Sequence, residues 1–331
     1  MPTDFTRTEI QTQADAWHNA LEVLHAQQDT LQALWADTRP DLLIFTGCGS
    51  TYYLAQTAAC LAQQYTGVMA RGVPASELML HPNSIYPANS RPLLVAISRS
   101  AATTETIHAV QAFRHQYAAP VVVISCYDDR PLNLEATLNL AVPAGQEESV
   151  AQTRSFSSMV VMAEGIAAVW GDQSIQNVRA GHEFVQQASQ FAEPYADPTR
   201  FTRYFYLGSG PRYGLACEAM LKMKEMSLTH AEAFHPMEFR HGPKSMVDEQ
   251  TLVVGLLSET GYAEEKAVLN EMRQLGATTI ELSTNPGADF AVPVDQLVHY
   301  LPPLQWLAYH RAIKKTLDPD RPRHLEQVVQ L

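Results

Sequence analysis

In the segment Glu218-Ala-Met-Leu-Lys222-Met-Lys-Glu225, charged residues recur at spacings of four and three. On a helix this puts Glu218, Lys222 and Glu225 on one face and Lys224 elsewhere. On an ordinary surface helix such a face is a solvated ion pair. Here Met220, Leu221, Met223, Met226 and Leu228 make most of the remaining surface apolar, so the charged face is expected to line a cleft. A carboxylate in a cleft can act as a base. Farther on, Phe234-His-Pro-Met-Glu-Phe-Arg-His241-Gly-Pro243 reads as a helical turn begun by Pro236 and closed by Gly242-Pro243. His241, at its tightly turned end, can project into a cleft and titrate near neutrality. His230, His235 and His241 lack the spacing of a zinc site, and no metal or other cofactor is expected.

A second kind of chemistry is carried by hydroxyls. Gly47-Cys48-Gly49-Ser50-Thr51 follows a strand-like run and opens a helix, where hydroxyls and unpaired backbone N–H groups converge on the positive end of the dipole. Ser98-Arg99-Ser100-Ala101-Ala102-Thr103-Thr104 does the same one strand later. Two such turns at the carboxyl ends of strands in one sheet can share a ligand. Ser50, Thr51, Ser98, Ser100 and Thr103 could surround one phosphate with neutral donors, and Arg99 could add charge.

Those residues need a scaffold. Helical periodicity to about Ala36 is followed by short β-branched runs at Asp41–Thr46, Pro92–Ser98 and Pro120–Ser125, with a helix between the last two. A helical region from about Thr153 to Glu193 ends near Pro194, and the pattern restarts with strands at Tyr204–Leu207, Thr251–Leu257 and Thr278–Leu282. Such alternation predicts parallel sheets with crossover helices, and the boundary falls near residues 190–200. Gly47 to Ala55 and Gly208 to Ala216 share GxGxxYxLA, which points to an internal duplication. Tyr52 and Tyr213 stand where a dinucleotide fingerprint needs its third glycine. The second copy has Pro211-Arg212 in place of Ser50-Thr51, so phosphate binding is assigned to the first half.

With 331 residues, two α/β units are the natural division, and 46% hydrophobic with 18% charged residues excludes a disordered chain. A formal net charge of -12 argues against a nucleic-acid partner. No stretch has signal-peptide or membrane-spanning character, so a cytoplasmic protein without membrane contact is expected. Cys48, Cys60, Cys126 and Cys217 are dispersed and read as buried small residues.

The segments GCGST, SRSAATTET, EESVAQTRSF, LGSGPRYGLACEAMLKMKEMSLTHAEAF, EFRHGP and DPDRPRHL are together similar to those of the sugar isomerase (SIS) family. The nearest likeness is to the isomerase part of glucosamine-6-phosphate synthase. That resemblance implies two tandem SIS subdomains, each a doubly wound parallel sheet flanked by helices, in a homodimer binding a sugar phosphate. A helical segment over 1–36, a phosphate-binding subdomain over 37–193 and a catalytic subdomain with the tail over 194–331 are expected. Carried over by position, Ser50, Thr51, Ser98, Arg99, Ser100 and Thr103 hold the phosphate, and Val150 meets the sugar through its backbone. Glu225 moves the proton between C1 and C2, Glu218 and Lys222 support it, and His241 opens the ring from the neighbouring subunit.

The departures are specific. The chain begins Met1-Pro2, without the family's N-terminal cysteine nucleophile, so glutamine-dependent synthesis is not expected. The usual SGE is Ser100-Ala101-Ala102, the usual Gln is Arg99, ASTK is Ala151-Gln152-Thr153-Arg154, and the lysine that reaches the sugar aligns with Gln327. The expected activity is isomerisation or deamination of an amino-sugar or ketose 6-phosphate. A deglycase of phosphorylated sugar–amine adducts and a non-catalytic sugar-phosphate sensor are the alternatives.

Overall fold

Leu42-Leu-Ile-Phe-Thr-Gly47 is buried at every position, as a central strand covered on both faces must be. A computed structural model describes residues 4–329. Helices α1 (Phe5–Gln11) and α2 (Gln13–Thr38) precede this strand, β1 (Leu42–Gly47). There follow α3 (Ser50–Thr66), β2 (Met69–Pro74), α4 (Ala75–Leu80), β3 (Pro92–Ile97), α5 (Thr104–Tyr117), β4 (Val121–Ser125), β5 (Leu138–Ala141) and α6 (Arg154–Trp170). All the pairings are parallel, in the order β2-β1-β3-β4-β5.

The second series runs α7 (His182–Ala192), β6 (Arg203–Gly208), α8 (Arg212–Ser227), β7 (Ala231–Phe234), α9 (Pro236–Phe239), β8 (Thr251–Leu256), α10 (Tyr262–Gln274), β9 (Thr278–Ser283), β10 (Phe290–Ala291) and α11 (Leu301–Lys314). Its parallel sheet has the order β10-β9-β8-β6-β7. Renumbered from β6, this is the same winding as the first sheet. Both are doubly wound, with a switch point beside their first strand. Two tandem α/β sheets flanked by helices are therefore what the chain forms.

Two compact units hold these sheets. One comprises Asp15–Glu147, Arg154–Val178 and the tail from Glu326; the other takes the chain as far as Ala14, Glu148–Thr153 and Arg179–Leu325. In the first, α2 packs on α6 at Gly165, where a Cβ would lie 2.3 Å from Leu24 Cδ1, and Trp17 Nε1 donates to Ser157 Oγ at 2.8 Å. In the second, the carboxylate of Asp320 accepts the backbone N–H groups of Phe5 and Thr6 at the start of α1.

The helical region expected from Thr153 to Glu193 is two helices. α6 stops at Trp170, because Gly171 lies against Tyr65 with no room for a side chain and Asp172 turns to φ 55°. Among the described residues, no helix is long and apolar enough to cross a membrane.

Candidate active site

The glycines of the repeated GxG serve the same purpose in both sheets. A Cβ on Gly47 would fall 2.6 Å from the backbone carbon of Thr51, and one on Gly208 would fall 2.7 Å from that of Arg212. Each strand thus runs directly under the helix that follows it. Gly49 and Gly210 sit at φ 57° and 54°, a left-handed turn that glycine takes without steric cost.

At the first turn Ser50 opens α3 and is buried. The Thr51 hydroxyl accepts the Cys48 N–H and donates to the Cys48 carbonyl, both at 3.0 Å, so its role is to close the turn. At the second turn, the next strand over, Ser98 Oγ and Thr103 Oγ1 lie 3.4 Å apart before the first turn of α5. Ser100 Oγ accepts the Ala102 N–H at 3.3 Å. Ala101 stands at φ 49° where the resemblance places glycine, and its methyl is fully buried. Cys48 Sγ is 3.6 Å from Thr106 Oγ1 on α5, so the two turns are neighbours. The two turns therefore lie side by side at the switch point, with Ser50, Ser98, Ser100 and Thr103 on them.

Arg99 behaves differently from its neighbours. Its side chain, 8% exposed, turns to Glu147 Oε2 at 3.7 Å and donates to the Gln327 carbonyl at 3.0 Å. A cavity of about 170 Å3 opens here, lined by Arg99, Ser100, Tyr127, Arg130, Glu147 and Gln327.

In the other unit, α8 buries its charges. Glu218 and Lys222 have 2% exposed side chains and Glu225 has 18%, whereas Lys224 is exposed. A solvated ion-paired face is thereby excluded. Lys222 Nζ is 3.4 Å from Glu218 Oε1 and bonded to Glu225 Oε2. Burial alone would pull the Lys222 pKa down, but Glu218 and Glu225 outweigh it and hold the pKa above its ordinary value. A charged lysine between two carboxylates fixes the rotamer of the more accessible one, Glu225.

His241 follows α9 on an exposed turn, its N–H bonded to the Glu238 carbonyl at 2.9 Å. His235, at the start of α9, stacks on Tyr213 of α8 with ring centroids 3.9 Å apart, a pairing that no spacing in the sequence announced. Val150 donates its N–H to the Asp320 carbonyl at 3.0 Å. The loop before it is held by Glu9, whose carboxylate accepts the N–H groups of Glu148 at 2.6 Å and Ser149 at 3.2 Å.

The corresponding turn of the second sheet is occupied by the chain itself. Arg212 is buried, bonds Asp295, and lies over the Tyr300 ring at 5.2 Å. Beside it, Glu265 accepts the Ser258 N–H at 2.6 Å. Of the four cysteines expected to be buried, Cys126 and Cys217 are, whereas Cys48 and Cys60 are only partly so; burial raises the Cys48 and Cys126 thiols and lifts Cys217 to about 11. Among the described residues, no group of three or more His, Cys, Asp or Glu is placed to hold a metal.

A family model described as the SIS domain matches residues 39–168 and 200–292, covering both sheets. The chain belongs to the SIS domain family. This SIS chain is 28% identical over 307 residues to glutamine–fructose-6-phosphate aminotransferase of Methanothermobacter thermautotrophicus, covering 87% of itself and 51% of that protein. The chain thus spans about half the length of the curated relatives it matches. Among solved structures, glucosamine-6-phosphate deaminase of Thermotoga maritima superposes with a TM-score of 0.78 at 28% identity, covering 95% of this chain and all of the other. Tagatose-6-phosphate ketose/aldose isomerase of Escherichia coli reaches a TM-score of 0.83 at 24% identity, over 95% of this chain and 94% of that one, a likeness of fold.

Proposed function

We propose that this SIS protein is a phosphosugar isomerase or deaminase acting on an amino-sugar or ketose 6-phosphate, with Glu225 as its proton carrier. The observation that carries the reading is the buried Glu218–Lys222–Glu225 ladder on α8. Buried charge is costly, and a pair at the surface would serve stability as well; two carboxylates around one lysine make sense as a held base. The first sheet supports the reading with its neighbouring hydroxyl turns, which offer neutral donors and helix N-termini to one phosphate.

In the proposed reaction, His241 of a second copy opens the sugar ring. Glu225 takes the C2 proton of the open-chain aldehyde, giving an enolamine when C2 bears an amine. The proton on the Glu225 carboxyl exchanges with solvent before one is delivered to C1, and water hydrolyses the resulting C2 imine to a ketone with release of ammonia. For a sugar with a C2 hydroxyl, the same shift through an enediol exchanges aldose and ketose. Val150 contributes its backbone to the sugar from a loop fixed by Glu9 and Asp320. The likeness to the Thermotoga maritima deaminase at 28% identity favours the amine-releasing form.

Incubating the protein with glucosamine 6-phosphate, without glutamine, tests this. Ammonia and fructose 6-phosphate appearing in equal amounts is the expected result. Binding without either product would contradict deamination; a parallel assay on a phosphorylated sugar–amine adduct would then distinguish a deglycase from a sensor.

A further inference from the structure

We infer that Arg99 is a positioning residue: together with Glu147 it fixes the C-terminal tail as a wall of the cavity beside the second hydroxyl turn, and its side chain does not itself hold the phosphate. The backbone of Arg99 belongs to the turn, its carbonyl accepting the Cys126 N–H at 3.1 Å. Its side chain leads to a different place. One guanidinium nitrogen lies 3.7 Å from the fully buried carboxylate of Glu147, and another donates to the Gln327 carbonyl at 3.0 Å. Gln327 returns a bond, Nε2 to the Glu147 carbonyl at 3.4 Å. The carboxylate of Glu147 is held in turn by the Ser155 hydroxyl.

Charge decides what this arrangement can do. A guanidinium facing a buried carboxylate is already engaged in charge pairing, and turning it toward a phosphate would take that positive charge away from the buried carboxylate of Glu147. Only arginine has the planar fork to meet a carboxylate and a carbonyl together; the glutamine that the resemblance places here lacks both the charge and the second donor pair. Gln327 and Val328 then form one wall of the 170 Å3 cavity that Ser100, Tyr127 and Arg130 also line. The phosphate is left to the neutral hydroxyls and N–H groups of the two turns. This inference rests on the proposed function for the identity of the phosphate, and not for the tail contact.

Two readouts separate the roles: cleavage of the native protein after Glu326 by a glutamate-specific protease, and the affinity for inorganic phosphate. Arg99→Gln should speed cleavage after Glu326 about tenfold or more, since a charged hydrogen bond is lost and proteolysis tracks the open population. Phosphate affinity should stay within about twofold, and the conservative Arg99→Lys, lacking the fork, should also cleave faster. Gln327→Ala, which removes the neutral Nε2 bond to the Glu147 carbonyl but keeps the backbone carbonyl that Arg99 meets, should speed cleavage by only about threefold and remains informative if an Arg99 variant fails to fold. Unchanged cleavage in these variants would overturn the inference. So would a tenfold loss of phosphate affinity in Arg99→Gln that Arg99→Lys restores. A parent protein that binds neither inorganic phosphate nor glucosamine 6-phosphate would count against the proposed function and leave the cleavage result standing.

Discussion

The guanidinium of Arg212 is bonded to the carboxylate of Asp295 at the place in the second sheet where the first sheet keeps Thr51. The duplicated turn therefore holds an anion that belongs to the chain. Removing it should expose a latent anion site. Asp295→Ala is expected to cost about 2 kcal/mol, less than a fully buried pair because Asp295 is 30% exposed. Inorganic phosphate should then raise the thermal midpoint of the variant more than that of the parent; equal shifts would contradict the account.

Lys222 should stabilise the fold at neutral pH and make that stability fall in the alkaline range. Its folded pKa is raised, so its contribution is fully present below the unfolded value of about 10.4 and is lost as pH rises through the folded one. Lys222→Met strands two carboxylates and should destabilise the protein by about 3 kcal/mol at pH 7. Denaturant midpoints at pH 7 and above 10 check both statements, with the parent losing stability in the alkaline range and Lys222→Met losing less.

His299 sets an acid limit. The ring is fully buried, Nδ1 lies 3.2 Å from the Val294 carbonyl, and Phe184 meets it edge-on with centroids 5.7 Å apart. Burial lowers its pKa, so the fold prefers the neutral ring. The unfolded chain then binds the extra proton, and stability falls as pH drops below about 6.5. His310, lowered for the same reason, adds to the slope. Urea midpoints between pH 5 and 8 should show a shallower dependence in His299→Gln than in the parent.

Glu9 should matter to turnover although α1 lies outside both sheets. Its carboxylate accepts two backbone N–H groups of the loop that carries Val150, and the Ser149 hydroxyl also donates to it. Glu9→Gln keeps the shape but supplies one acceptor oxygen for those donors. Stability should fall by about 1–3 kcal/mol, and the KM for the sugar phosphate should rise more than kcat falls.

The sequence displays the interior of this fold and hides its rim. The runs at β1, β3, β4, β6 and β8 were legible because each is a nearly continuous apolar stretch buried on both faces, and β9 by its β-branched Thr278-Thr-Ile280 start, likewise almost wholly buried. The unread strands β2, β5, β7 and β10 are the four sheet edges. Partly exposed, as in Met69–Pro74 with Arg71 and Gly72 among its residues, or short, as in Phe290–Ala291, they have no continuous apolar run to betray them. At the site, the hydroxyl turns and the ladder on α8 were visible because their chemistry is local to a few residues. Glu147, Glu9 and Asp295 were not, since each acts on a partner from a distant part of the sequence. The direction of the Arg99 side chain follows from Glu147, and without that partner its charge reads as a phosphate ligand.

The central claim is that Glu225 carries the proton between C2 and C1. It is tested most directly by running the glucosamine 6-phosphate reaction in D2O and measuring deuterium at C1 of the fructose 6-phosphate formed, in the parent and in Glu225→Gln. The account predicts solvent deuterium at C1 with the parent, and turnover lowered by about 10²–10⁴-fold in the variant with substrate binding retained. Undiminished turnover in Glu225→Gln would contradict it.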